Sequence, residues 1–240
     1  MGTDTGNAQE GDELSPLSLQ ITSSALAAKE DSSRARGAAP RAVSGDATLT
    51  FTSGAVSLEF IELQLAPSVT CEGLAPEARA ALDAEGWRCA GGKVQAAGPF
   101  RVDLLSGEGA PALPALPAGD YKLVDLRLAP ADGVTLSAAG ELARPGAAPA
   151  SFALSLRFTE DARFKKPDGA LLRLEAGAPL ALFLDVATWF EGVDVGACAA
   201  AGELEEEALG VIALGRGRGR CQRLTEVVRH NIKESGRTRP

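Results

Sequence analysis

Residues 151–158 read SFALSLRF, and a large apolar side chain falls on every second position: Phe152, Leu154, Leu156 and Phe158 alternate with Ser151, Ala153, Ser155 and Arg157. A period of two belongs to an extended strand with one buried and one solvated face; no helix keeps these four on one side. The pattern recurs along the chain. Leu17, Leu19 and Ile21 alternate in residues 17–21, and Leu49 and Phe51 alternate with Thr48, Thr50 and Thr52. After Ser53-Gly54, Val56, Leu58 and Phe60 share a face opposite Ser57 and Glu59, and then Ile61, Leu63 and Leu65 continue in the other phase. One extra residue shifts a strand's phase in this way, so the spacing predicts a β-bulge at 60–61. The Ser53-Gly54 pair predicts the turn of a two-stranded hairpin over 47–65.

Further strands are expected at 99–105 (Phe100, Val102 and Leu104 inward), at 120–130, at 134–142, at 170–175, at 179–186 and near 210–214. In 120–130, Val124, Leu126 and Leu128 oppose Tyr121, Leu123, Asp125 and Arg127. Two segments carry helical signals. Residues 76–85 have Pro76 at the start and Gly86 at the end. From Cys221 onward, Leu224, Val227, Val228 and Ile232 form one stripe, with Gly236 as the expected C-terminal stop. Short strands with turn signals about every ten residues predict a mainly β fold, an antiparallel β-sandwich. The expected division is a polar, Gly-rich tether over 1–15, a sandwich over 16–200 with a loop or disordered insert at 23–46, and a charged loop with a C-terminal helix packed on the sandwich over 201–240.

Composition narrows the function classes. Of 240 residues, 45% are apolar but only 5% aromatic, so aliphatic side chains must fill most of the core. The net charge of −8 repels phosphate backbones, which argues against a nucleic-acid partner. Four cysteines, one histidine and no CxxC pair leave zinc little to bind. Two local disulfides, Cys71–Cys89 and Cys198–Cys221, are the simplest arrangement, with four buried thiols as the alternative; disulfides imply an exported protein. The first residues, MGTDTGNAQEGDE, lack the apolar stretch of a signal peptide and read as a mature N-terminus. Gly6 stands where a myristoylation signal needs Ser or Thr.

A wider pattern links these segments. Val102-Asp103-Leu104-Leu105 precedes a Pro-rich loop that ends Leu116-Pro117-Ala118-Gly119-Asp120-Tyr121, and a return strand closes Leu126-Arg127-Leu128. Further on come a WFEGVD stretch at 189–194 and a final helix carrying Asn231. Over roughly 45–235 this resembles a family of exported bacterial lipoproteins of undefined function, whose domain is a transthyretin-like or prealbumin-like β-sandwich grouped with carbohydrate-binding-like folds. The resemblance implies a cell-envelope location, periplasmic or at the outer-membrane surface, with a membrane contact only through an N-terminal lipid; Met1 would then stand in the place of the lipid-bearing cysteine. It carries over no catalytic residue. The family's Asp-Ala-Pro segment near the first strand is missing here, and GRGRGRC at 215–221 has no counterpart in it.

Candidate chemistry is sparse. No GxSxG motif occurs, and His230 lies among Arg229 and Lys233 as a solvated helix residue, so a Ser-His-Asp enzyme is not expected. Asp103, Asp125, Asp185 and Glu191 are the acids that a hydrolase built on strand carboxylates would use. No DxDxDG loop for calcium and no phosphate-binding glycine loop is present, and no cofactor is implied. Tyr121, opening a strand, and Trp189, ending one, are the ligand-binding candidates for a sandwich that takes sugars, although Trp189 also fits core closure. Glu203, Glu205, Glu206 and Glu207 face Arg216, Arg218 and Arg220 within the loop that Cys198–Cys221 would close, so that loop is expected to neutralise itself. The resulting expectation is a non-enzymatic exported binding or structural protein. Its partner would be a protein or polysaccharide of the cell envelope, met through loops 107–119 and 187–200; a carbohydrate-binding module is the alternative.

Overall fold

A computed structural model describes residues 17–22, 39–67, 69–74, 76–111, 119–164, 171–174 and 180–239. Its longest element is strand β3, Ala47–Leu65, of 19 residues. Laid straight, such a strand would span roughly 60 Å, far beyond the radius of gyration of ~18 Å that a chain of this length adopts when compact. It therefore has to bend, and its phase slips are where it does so. Ala47, Leu49, Phe51, Val56 and Leu58 point into the core, and after the slip Ile61, Leu63 and Leu65 do.

Each edge of β3 serves two neighbours in succession. Along one edge β2 (Arg41–Ser44) pairs with 47–50 and β5 (Lys93–Asp103) with 55–64. Along the other, β7 (Leu136–Ala143) pairs with 48–56 and β6 (Gly119–Leu128) with 58–65. Strand β4 (Trp87–Ala90) adds to β5, β8 (Ala150–Leu156) to β7, and β9 (Glu160–Phe164) and β10 (Leu172–Leu174) to β6. A separate three-stranded sheet joins β1 (Leu17–Thr22), β11 (Leu180–Asp185) and β14 (Gly236–Arg239).

The fold is mainly β, with a large mixed sheet, three α-helices among the described residues and two disulfides. The expected all-antiparallel pairing is corrected at two places. Strand β13 (Ile212–Gly217) runs parallel to β8, with Ile212 against Phe152, and β1 runs parallel to β11. With β12 (Leu204–Glu206) on its far side, β13 makes the segment after 200 an extension of the large sheet.

The expected hairpin within 47–65 does not form. A two-residue turn needs a left-handed residue, and Gly54 has no such φ; it stays in the strand, pairing with Ala138 while its carbonyl accepts from Leu104 N–H at 2.9 Å. The bulge lies between Leu58 and Phe60, one step earlier than the spacing predicts, which leaves Phe60 half-buried instead of sharing the face of Val56 and Leu58. Within the expected insert, residues 41–44 are strand β2 and 45–46 its turn, while 23–38 lie outside the described residues, as does the expected tether.

Helix α1 (Pro76–Ala84) begins at its proline and is followed by Gly86 at φ 77°, as expected. Helix α2 spans Val195–Ala200, and helix α3, Leu224–Glu234, buries Leu224, Val228 and Ile232. Gly236 does not act as a C-terminal stop. Ser235 ends the helix and Gly236 opens β14, where an added Cβ would lie 3.0 Å from the Arg163 carbonyl. A glycine at that point lets two backbones approach closely. The same logic is sharper at Gly140 in β7, where a Cβ would collide with the Thr50 carbonyl and lie 2.9 Å from Phe152 Cε1. Gly140→Val is expected to destabilise by about 1–3 kcal/mol, read as a fall in thermal midpoint and in denaturant midpoint.

Candidate functional site

The chain from Asp185 to Val195 is a loop held at almost every residue. Asp185 caps a 3-10 turn at Val186–Thr188 by accepting from Ala187 N–H at 3.1 Å. The chain then drops Trp189 and Phe190 into the core. Trp189 stands edge-on to Phe51 at 5.6 Å, and Phe51 stands edge-on to Phe152 at 5.4 Å. The indole Nε1 donates to Ser235 Oγ at 3.2 Å, and that hydroxyl donates to the Ile232 carbonyl at 2.7 Å. Asn231, on α3, donates through Nδ2 to the carbonyls of Trp189 (3.1 Å) and Glu191 (2.9 Å). From the other side, Ser44 Oγ donates to the Val193 carbonyl at 2.6 Å and accepts from Val195 N–H at 2.9 Å. Asp194 caps α2 through Ala197 N–H at 2.8 Å. Gly45, at φ 65°, fits directly against the Asp194 carboxylate, and Gly196 against that of Asp46.

This loop and α2 form one wall of a cleft of about 360 Å³. Gly192, Val193, Asp194 and Ala197 line one side, and Arg220, Arg223, Leu224 and Val227 the other. The Cys198–Cys221 disulfide joins the two walls, with Cα atoms 6.0 Å apart. The second bridge, Cys71–Cys89, has Cα atoms 5.5 Å apart and brackets α1. Both expected pairings are present, and no cysteine is free.

Tyr121 is corrected as a ligand-binding candidate, and Trp189 takes the core-closing place expected of it instead of a binding one. Tyr121 is 2% exposed and Trp189 0%, so neither stands at a rim. The pairing of β6 with β3 explains Tyr121: it passes from Gln64–Leu123 to Leu65–Tyr121, skipping Lys122, and this slip turns Tyr121 from the outer face to the inner. Burial pushes its phenol up to about 12. Trp189 lies inside because the 3-10 turn reverses the chain onto Phe51.

The four candidate carboxylates sit in different local settings. Asp103 folds the turn after β5, accepting from Leu105 N–H, Ser106 N–H and Ser106 Oγ at 2.8–3.0 Å. The Ser106 N–H is the first cause of a carboxyl held below its ordinary value. Asp185 is a turn cap, and Glu191 is exposed. Asp103 pairs with Ala55 and Asp125 with Glu62, seven positions apart on β3 and so roughly 23 Å. The spacing of the residues alone misses Glu62, which only the register places directly across from Asp125. Lys93 holds Glu62 at 2.8 Å, while Arg163 approaches Asp125 Oδ1 only to 3.5 Å. That buried oxygen has no hydrogen-bond partner among the described residues. Burial, first, and the Glu62 charge raise the Asp125 carboxyl above its ordinary value, against the opposing pull of Arg163 and Lys93; Asp161 adds to the rise.

The charged loop closed by Cys198–Cys221 pairs internally. Arg216 lies 3.7 Å from Glu205 and Arg220 3.4 Å from Glu203, and Arg218 N–H donates to the Glu203 carbonyl at 2.7 Å. His230 is exposed on α3. Among the described residues no group of three or more His, Cys, Asp or Glu could hold a metal ion, and no helix is long and apolar enough to cross a membrane. Of the two expected binding loops, 187–200 forms the cleft wall, while 112–118 of the other lies outside the described residues. The chain matches no known family model, no curated protein and no solved structure.

Two outcomes follow from these contacts. Asn231→Ala removes two hydrogen bonds and is expected to cost roughly 1–2 kcal/mol, or about 2–8 °C in Tm. For Asp125, a raised carboxyl means that the folded state takes up its proton before the unfolded chain does. Its contribution is then most favourable below the ordinary carboxyl range and is lost as pH rises through the folded value. Asp125→Asn is therefore expected to raise Tm at pH 7, with the gain shrinking as pH falls toward the ordinary carboxyl value of about 3.9; an equal or lower Tm at pH 7 contradicts this.

Proposed function

We propose that the chain is an exported, non-enzymatic protein of a bacterial cell envelope, periplasmic or surface-exposed, that binds a protein or polysaccharide partner through the cleft beside residues 186–195. The observation that carries this reading is the pair of disulfides that leaves no free cysteine, one of them joining the cleft walls. Disulfides persist in oxidising compartments and are rare where thiols are kept reduced. The loop is also preorganised, which lowers the entropic cost of binding.

The finer reading, a lipid-anchored relative of the transthyretin-like lipoproteins, draws support from one further fact. The two distant segments that carry the resemblance, 189–194 and the final helix, meet through the Asn231 hydrogen bonds. Sugar binding on an aromatic platform loses ground because Tyr121 and Trp189 are core residues; a glycan array with signal above background would restore it. A hydrolase using Asp103, Asp125, Asp185 and Glu191 loses ground because Asp103 and Asp125 pair with positions seven residues apart on β3 and Asp103 and Asp185 are engaged as turn caps.

Closing loops of these lengths, with sequence separations of 18 and 23, is worth about 3 kcal/mol each. Reduction of the native protein is expected to lower its thermal midpoint markedly, and protein isolated from its natural source is expected to show no titratable thiol. Four titratable thiols in that material, or a melt indifferent to reductant, would falsify the exported assignment.

A further inference from the structure

We propose that the cleft joined by Cys198–Cys221 takes a small organic anion with a short aliphatic body, a medium-chain carboxylate being the simplest member. This rests on the reading of the cleft as a binding surface and goes beyond it, to a small molecule held within the cleft rather than a macromolecular partner. The volume of about 360 Å³ falls within the range of small-molecule sites, roughly 300–1,000 Å³.

Both walls contribute apolar surface. Val193 and Ala197 on one side and Val227 on the other are half-buried aliphatic side chains that line the cleft, with Leu224 behind Val227 and the disulfide joining the walls. They ride on backbone fixed by Ser44, by Asn231 and by the disulfide, so the apolar surface is held open instead of collapsing. Apolar surface of this kind favours a ligand with a hydrocarbon part.

The cationic side chains that line the cleft favour an anion. Arg220 and Arg223 line it with side chains 65% and 76% exposed. Their acidic neighbours, Glu203 and Glu226, approach closest through Nε, at 3.4 and 3.5 Å. A guanidinium has five donors in a fork that matches a carboxylate, so donors remain for a ligand, and exposed ion pairs exchange partners readily. The one acid lining the cleft among the described residues, Asp194, caps α2 through one oxygen and is fitted against Gly45. An ammonium on the same hydrocarbon chain would meet the two cations Arg220 and Arg223 against the single carboxylate of Asp194.

Titration of the intact, oxidised chain with octanoate, followed by calorimetry and methyl NMR, tests this. The expected result is saturable binding with a Kd of ~1 mM or tighter, with shifts centred on Val193, Ala197, Leu224 and Val227. Octylammonium and inorganic phosphate are expected to bind at least about tenfold more weakly. The double variant Arg220→Gln, Arg223→Gln, with both positions exposed, is expected to keep the wild-type melt and lose octanoate affinity by about tenfold. Val227→Glu, which puts a negative charge in the aliphatic wall, is expected to lose it too. No saturable octanoate binding, equal binding of octylammonium or phosphate, or full affinity in the double variant overturns the proposal. Cleft shifts caused by another partner, without any response to octanoate, overturn the ligand class alone and leave the cleft as the binding surface.

Discussion

Strand β3 imposes its geometry on most of the molecule. A strand of 19 residues presents more edge than any single neighbour covers, so each edge takes two partners in turn: β2 then β5, β7 then β6. Strands β6 and β7 are joined by only residues 129–135, and Thr135 bridges the bend by donating its hydroxyl to the Phe158 carbonyl at 2.6 Å while accepting from Phe158 N–H at 3.0 Å. The same bend is thus carried across three successive layers of chain. Residues buried on either side of it, Phe51 and Val56 before and Ile61 and Leu63 after, belong to one continuous core. A flat β3 would separate these sets and leave Phe51 without Trp189.

That aromatic contact couples the sheet to the candidate site. Trp189 is both a large core residue and a fixed point of the loop that walls the cleft. Its indole N–H and its carbonyl are satisfied by Ser235 and Asn231 from the same helical end, so the loop is tied to the end of α3. On the opposite side Ser44 ties the loop to the β2–β3 turn. Buried polar groups satisfied in this way specify one arrangement, because breaking any one bond strands its partner. A surface built from loop backbone thereby acquires the fixed shape that recognition needs.

The local parts of this structure were legible in the sequence and the relational parts were not. Residues 151–158 alternate so cleanly that their strand and its inward face follow from spacing alone. The cysteine pairs and both longer helices follow from composition over a short span. Tyr121 fails because its face depends on a one-residue slip against a neighbour more than fifty positions away. Glu62 and Asp125 fail similarly: each looks like a solvated strand residue until the register sets them side by side. The parallel pairing of β13 with β8 leaves no mark in either segment, since a strand's own pattern does not record its partner's direction. Strand β9, EDARF, has only two inward residues, too few to establish a period.

Charge is used in two physically different ways, and the difference bears on function. In the loop between Cys198 and Cys221, the three arginines and Glu205, Glu206 and Glu207 are exposed while Glu203 is half-buried, and surface pairs such as Arg216–Glu205 contribute no more than about 1 kcal/mol and are screened by salt. Such a loop is electrostatically quiet at long range, in a chain whose net charge is −8. Its arginines remain chemically available at short range, because little energy binds them to their glutamates. The Glu62–Asp125 pair is the opposite case. Its side chains are only 12% and 21% exposed, so the interaction is poorly screened and one unpaired oxygen is costly. Burial without full pairing makes that ladder sensitive to pH, whereas exposure with easy exchange makes the arginine loop suited to contact. The cleft stands beside the exchangeable charges, and the strained pair lies within the sheet.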